Sequence, residues 1–367
     1  MSAPRFERIT LHVVIEKFPL LQPFHITGST MVDTDVVVVS LEKDGHVGRG
    51  EASGVYYRDD DDAPGVVRQI EAVRVSIEAG LDRDSLQKLL PTGGARNAID
   101  CALWDLEAKL TGRCAWQIAG LEVPRALLTT FTVGANDPEK MAADARAYTQ
   151  AKAIKIKLTG ETPDAERIRA VRAARPDVWL GVDANQGFTP TLLRQLLPML
   201  QQAHVALIEQ PFPAGREAQL EHLHSPISIA ADESVQDLAD LARLANRFDV
   251  INIKLDKCGG LTEGLAMARA ACRLGREVMV GNMVGTSLAI APAFLVGQLC
   301  NIVDLDGPVF LSHDRPHPLR IENGMVTCPD DLWPRLSYSN VIGHDIASRQ
   351  PAPPAIIAAF LPARQRS

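Results

Sequence analysis

Lysines and carboxylates recur at the ends of short apolar segments in this 367-residue sequence, in positions where they could hold a cation and move a proton. Asp183 and Asn185 lie at the end of Trp179–Ala184, Glu209 at the end of Val205–Gln210, and Asp232 at the end of Ile227–Asp232. Lys155 and Lys157 belong to Ala153–Leu158. Lys254 and Asp256 follow from Val250–Leu255, and Asp304 and Asp306 from Asn301–Leu305. Within each segment the polar residues share one parity. Asn252, Lys254 and Asp256 alternate with Ile251, Ile253 and Leu255. Strand side chains of period two point to opposite faces, so one apolar set can face helices while the charged set faces inward.

A network of core salt bridges is the competing reading for any one of these acids. For all of them together it is poor, because convergent buried charges need many compensating partners. A divalent cation between Asp183, Glu209 and Asp232 offsets the acids directly. Three carboxylates without histidine form an all-oxygen site, which suits Mg²⁺, with Mn²⁺ as its substitute, over zinc or copper. A lysine acts as a base when burial or neighbouring cations bring its pKa down from ~10.4. Lys157 and Lys254, about half a barrel apart, would then meet a substrate carbon from opposite faces. One would take a proton α to a carboxylate and the other return one, with the metal stabilising the enediolate.

The elements that must position these residues are legible as a pattern. Eight segments alternate with amphipathic helical stretches: the six above, together with Thr129–Val133 and Glu277–Gly281. Such alternation implies parallel strands joined by right-handed crossovers. A closed (β/α) barrel is expected, with an open doubly wound sheet as the alternative. Charged residues at the carboxyl ends of barrel strands mark an active site. Residues 1–125 read as an α+β unit. The strand Val36–Leu41 turns at Lys43-Asp44-Gly45 into His46–Gly50, and helical periodicity follows over Val66–Gly80 and Ala95–Leu110. The run Asp59–Asp62 reads as a solvated loop. Residues 321–367 lose the barrel period, and Arg349–Pro362 reads as a strap on the surface. The fold class is therefore α/β, a modified (β/α) barrel over 126–320 with an α+β capping domain.

Composition bounds the setting. A net charge of −7 argues against a nucleic-acid or anionic-membrane surface. The six scattered cysteines show no metal spacing and suit free thiols in a reducing, cytoplasmic compartment. No secretory leader or membrane span is expected.

Five motifs in order carry a resemblance: Lys155-Ile156-Lys157, Val182-Asp183-Ala184-Asn185, Ile208-Glu209-Gln210-Pro211, Ala231-Asp232-Glu233-Ser234 and Asn252-Ile253-Lys254. With the segment Arg96–Asp105 they resemble the enolase superfamily in its muconate-lactonising-enzyme-like subgroup. The resemblance implies a cap of N- and C-terminal segments over a modified barrel. It also implies Mg²⁺ on Asp183, Glu209 and Asp232, Lys157 and Lys254 as the acid/base pair, and Lys155 as electrostatic support. Lys257, of opposite parity to Lys254, is disfavoured as the base.

Asp304-Leu305-Asp306-Gly307-Pro308 and the stretch Asn252–Glu263 resemble the dipeptide epimerase family of that subgroup. In that family the aspartate pair holds the α-ammonium of a dipeptide, a cation that needs a charged acceptor. Asn185, Thr132, Met283 and His25 are implied as further substrate contacts. Asn282 stands where a cysteine is expected. Gly28 stands where Ala-Glu epimerases carry an arginine, which puts an Ala-Glu substrate in doubt. Arg58 is its conceivable substitute, and Asp33, Asp35, Met31 and Val32 leave the side-chain class open. N-succinylamino acid racemase, o-succinylbenzoate synthase and muconate cycloisomerase are the alternatives, and a non-catalytic ligand-binding barrel is the remote one. A small-molecule substrate and a homo-oligomer are the expected partners.

Overall fold

The protein is described from a computed structural model over residues 8–26 and 29–333. The chain opens with three antiparallel strands, β1 (Thr10–Ile26), β2 (Ser29–Lys43) and β3 (His46–Ala52), in spatial order 1-2-3. Asp44 and Gly45 both have positive φ, 51° and 75°, which is why Asp-Gly serves the turn between β2 and β3. The run Val36–Val39 is buried throughout because both faces of β2 are covered. Val37, Val39 and Leu41 enter a core shared with the helix Gly94–Thr111, whereas Val36 and Val38 enter the large core of the barrel. That helix lies across β3, and a Cβ on Gly50 would sit 2.7 Å from the Ala102 nitrogen. The helix expected over Val66–Gly80 is two, Ala63–Ala72 and Arg74–Glu78, interrupted at Val73.

After β4 (Leu127–Leu128) come eight parallel strands: β5 (Phe131–Val133), β6 (Ala153–Lys157), β7 (Trp179–Asp183), β8 (Val205–Glu209), β9 (Ser228–Ala231), β10 (Val250–Ile253), β11 (Glu277–Val280) and β12 (Ile302–Val303). They pair strictly in sequence order, which excludes the doubly wound alternative. The sheet curls until its first and last strands meet. There Thr130 N–H donates to the Val303 carbonyl at 2.9 Å and Leu305 N–H to the Thr129 hydroxyl at 2.9 Å, across a seam bridged by loop residues. Several strands stop one or two residues before the expected end, so Asp232, Lys254, Asp304 and Asp306 lie just beyond the ladders.

Inward-facing Leu207, Ala230, Val250 and Met279, with Trp179 and Ile302 against them, plug the lower barrel. The charged layer sits above this plug, at the carboxyl ends of the strands. Past β12, β13 (Arg320–Glu322) and β14 (Met325–Thr327) form a hairpin that pairs with β4. Leu332 and Trp333 are buried against the cap, where Arg49 donates to the Leu332 carbonyl and accepts from the Trp333 indole. The strap expected over Arg349–Pro362, and Gly28, lie outside the described residues. Among the described residues no helix is long and apolar enough to cross a membrane.

Candidate active site

β7, β8 and the exit of β9 deliver Asp183, Glu209 and Asp232 to one point. Each is buried, and one oxygen from each lies within 4.8 Å of the others. β7 and β8 place Asp183 beside Glu209. The backbone is forced at both exits. Asn185 and Gln210 have positive φ, 40° and 35°, a conformation that L residues adopt at a cost and that concentrates at functional sites. Asn185 N–H donates to Asp183 Oδ1 at 2.8 Å. The Gln210 side-chain oxygen accepts from Asp232 N–H at 2.9 Å and Ser234 N–H at 3.1 Å, fixing where β9 ends.

Lysines surround this cluster. Lys157 Nζ lies 2.6 Å from Asp183 Oδ2, Lys155 Nζ 2.9 Å from Glu209 Oε2, and Lys254 Nζ 2.7 Å from Asp232 Oδ2. β6 and β10 are four places apart in an eight-stranded order, so Lys157 and Lys254 stand on opposite walls. Both border one cavity, together with Asp232, Glu233, Asn185 and Met283. Space for Lys254 depends on Gly281, where a Cβ would come within 2.8 Å of Asn252 Oδ1 and 3.0 Å of Lys254 Cε.

The electrostatics follow from burial and pairing. Burial alone would lower Lys254, but Asp232 and Glu209 outweigh it and hold the ammonium well above its ordinary pKa. Lys155 is raised in the same way, against burial, by Asp304, Glu209 and Asp183. Burial and the neighbouring Asp183 push Glu209 up to about 7. Burial opposes ionisation of Asp232 as well, yet Lys254 and Lys257 draw it well below the usual carboxylate range. Three buried carboxylate oxygens facing one another, in an all-oxygen set, fit a hard divalent cation. Their remaining lone pairs leave room for such an ion beside the lysine contacts.

The aspartate pair divides. Asp304 is spoken for by Lys155 and by the Thr130 hydroxyl. Asp306 accepts from Thr132 N–H at 2.6 Å, and burial together with Asp304 pushes it up to about 7. His25 and Thr132 border a second cavity, on the far side of Phe24 from the lysines.

Family models match nearly the whole described chain. Residues 8–120 match the mandelate racemase / muconate lactonizing enzyme N-terminal domain, and residues 140–332 the enolase C-terminal domain-like family. The chain belongs to the mandelate racemase / muconate lactonizing enzyme family of the enolase superfamily. Within it, the chain is 40% identical over 317 residues to the L-Ala-D/L-Glu epimerase of Escherichia coli K12, covering 86% of this chain and 98% of that protein. A solved structure from Agrobacterium tumefaciens, an enolase family member with homology to dipeptide epimerases and with bound sodium and L-Ala-L-Glu, superposes with a TM-score of 0.85 at 42% identity. It covers 89% of this chain and 99% of that one. The dipeptide epimerase of Methylococcus capsulatus, complexed with Mg and L-Arg-D-Lys, gives 0.82 at 31% identity over 88% of this chain and 97% of that one.

Three sequence readings need correction in this member of the family. Asp256 does not face the barrel interior. The chain leaves β10 for a short helix, Leu255–Cys258, and Asp256 Oδ1 instead accepts from Ser53 and Gly54 N–H at 2.9 and 3.1 Å. The Asp59–Asp62 run is not uniformly solvated. Asp61 is buried and accepts from Gly94 N–H at 2.9 Å, and Asp62 caps the helix Ala63–Ala72. Arg58 cannot stand in for a cap-loop arginine, since it is committed to Gln236 and to the Lys257 carbonyl.

Sequence reasoning also missed residues. Asn252 donates to Glu209 Oε1 at 2.7 Å, and its inward parity was the available signal. Lys257, disfavoured as the base, donates to Asp232 Oδ1 at 2.6 Å and to the Val235 and Asn252 carbonyls at 3.2 and 3.1 Å, so it anchors a carboxylate of the cluster. Tyr57 and Glu233, like Asn185, which the sequence did single out, each keep a buried polar atom without a partner beside the catalytic cavity.

Proposed function

We propose that this chain is a dipeptide epimerase, an isomerase that inverts Cα of the C-terminal residue of a dipeptide by 1,1-proton transfer. The observation that carries the reading is the placement of Lys157 and Lys254 on opposite walls of one cavity, over a convergent carboxylate cluster. Asp183, Glu209 and Asp232 would hold Mg²⁺, which would supply positive charge where the substrate carboxylate gains electron density. A cation on these carboxylates would offset the negative charge that holds Lys254 as an ammonium, so that one lysine, as the free amine, takes the α-proton into its lone pair. The electrons of the C–H bond pass into the carboxylate. The opposite lysine, as the ammonium, delivers a proton to the other face, and the reverse direction exchanges the two roles. Lys155 keeps Glu209 and Asp304 compensated. The dipeptide amine meets Asp306, because the charge of Asp304 is already compensated by Lys155.

Incubating the Mg²⁺-loaded protein with L,L-dipeptides in D₂O tests this by mass spectrometry. Deuterium should enter one Cα position of dipeptides and not of N-acyl amino acids. Exchange of N-succinyl amino acids without exchange of any dipeptide would replace the proposal with a racemase. Asp306→Asn should reduce dipeptide kcat/KM by about 10²-fold, since it removes the charged partner of a buried cation. An unchanged value would favour a substrate without an amine.

A further inference from the structure

A second cavity adjoins the catalytic one and has no part in the chemistry above. It is bounded by Phe24 and His25 of β1, by Thr132 of β5, by Lys140 and Tyr148 from the helix Pro138–Ala147 and its end, and by Phe310. Phe24 borders both cavities, so its ring is the wall between them. That ring packs on Phe310 with centroids 4.6 Å apart. Its position is set from beneath by Gly134, where a Cβ would lie 3.2 Å from the ring.

The cavity is linked through Thr132 to the aspartate proposed to hold the amine. Thr132, in its wall, donates its N–H to Asp306, and Tyr148, opposite, donates its hydroxyl to the Thr132 carbonyl. Phe310 ends the single turn Gly307–Phe310 that begins immediately after Asp306. A dipeptide is short, roughly 3.3–3.6 Å per residue when extended. With its C-terminal Cα between the lysines and its amine at Asp306, its first side chain leaves the backbone beside Thr132.

We propose that this second cavity receives the side chain of the N-terminal residue, and that it admits chains well beyond a methyl group. Resting on the dipeptide reading, the inference adds the substrate class at its N-terminal position. Phe24, Tyr148 and Phe310 give its lining an aromatic character that suits an apolar or aromatic body. Asn136 and the Lys140–Asp144 pair at the rim leave room for a polar end.

The test compares kcat/KM, read by Cα deuterium exchange, across dipeptides that share a C-terminal residue and carry Gly, Ala, Leu, Met or Phe first. In the wild-type protein Leu, Met and Phe should match or exceed Gly. In Lys140→Trp, which places an indole in the cavity, the ratio of the Phe or Leu value to the Gly value should fall by about tenfold or more. The ratio is taken within one preparation, so partial loss of folded protein cancels. Exchange of Gly and Ala dipeptides with Leu, Met and Phe about a hundredfold slower in wild type would overturn the inference and leave the dipeptide reading standing. So would a ratio unmoved by Lys140→Trp. Failure to exchange every dipeptide would remove the dipeptide reading and this inference with it.

Discussion

Lys257 shows best what a single residue contributes here. Its ammonium is 1% exposed and shares its protons among one carboxylate oxygen and several backbone carbonyls at the exits of β9 and β10. Asp232 is thereby fixed through Oδ1, while Oδ2 faces Lys254. Removing one member of such a buried pair typically costs about 3–5 kcal/mol, because the other charge stays behind. Lys257→Met, with a similar reach and no charge, should lose stability of that order in urea unfolding with EDTA present. A loss under about 1 kcal/mol would mean that Lys254 alone suffices to compensate Asp232. The sequence disguised this role. Parity excludes Lys257 from the barrel interior only while the chain remains a strand, and the chain turns helical directly after Lys254. Asp183, Glu209, Lys155 and Lys157 were legible because each lies within a ladder of strict period two.

Elements deliver what residues cannot choose for themselves. The eight strands were visible because both-face burial and inward polarity leave an unmistakable alternation in β6 and β10. The hairpin of β13 and β14 was not visible, since three-residue strands carry no period of their own. β11 contributes its absence of bulk: Gly281 leaves the space that Lys254 occupies. Gly281→Ala should displace the lysine by some tenths of an ångström up to ~1 Å, a shift that costs about 10–10²-fold in rate when the reacting geometry is tight. Steady-state kinetics should show the loss in kcat, with the thermal midpoint within a few degrees of wild type. An unchanged kcat would mean that the Lys254 position is set elsewhere.

At the scale of the molecule, polar contacts tie the cap to the barrel beside the apolar ones of Val36 and Val38. The Val284 carbonyl accepts from the Thr34 hydroxyl at 3.1 Å and the Ser53 hydroxyl at 2.8 Å, tying both cap segments to one barrel loop. Asp256 adds its pair of backbone N–H donors from the cap. Burial and the nearby Asp61 push Asp256 up to about 7, from an ordinary 3.8. An acid raised on folding binds more protons folded than unfolded between these values. Its effect on stability is therefore neutral below 3.8, grows unfavourable as pH rises, and is complete above about 7. Asp256→Asn keeps an acceptor and removes the titration. Its stability relative to wild type should rise across that window, read from urea midpoints at several pH values, whereas a flat difference would remove Asp256 as the titrating group. None of this joint could be read from sequence, because its partners are some two hundred residues apart in the chain.

The central claim is that two lysines share one proton inventory from opposite faces. The direct measurement follows Cα deuterium entry and epimer composition together, for Lys157→Ala and Lys254→Ala, starting from each epimer of an active dipeptide in D₂O. Each variant should exchange the α-proton of one epimer only, the opposite epimer in the two cases, and neither should invert its substrate. Inversion by either single variant at a rate near that of the wild-type protein would contradict the account.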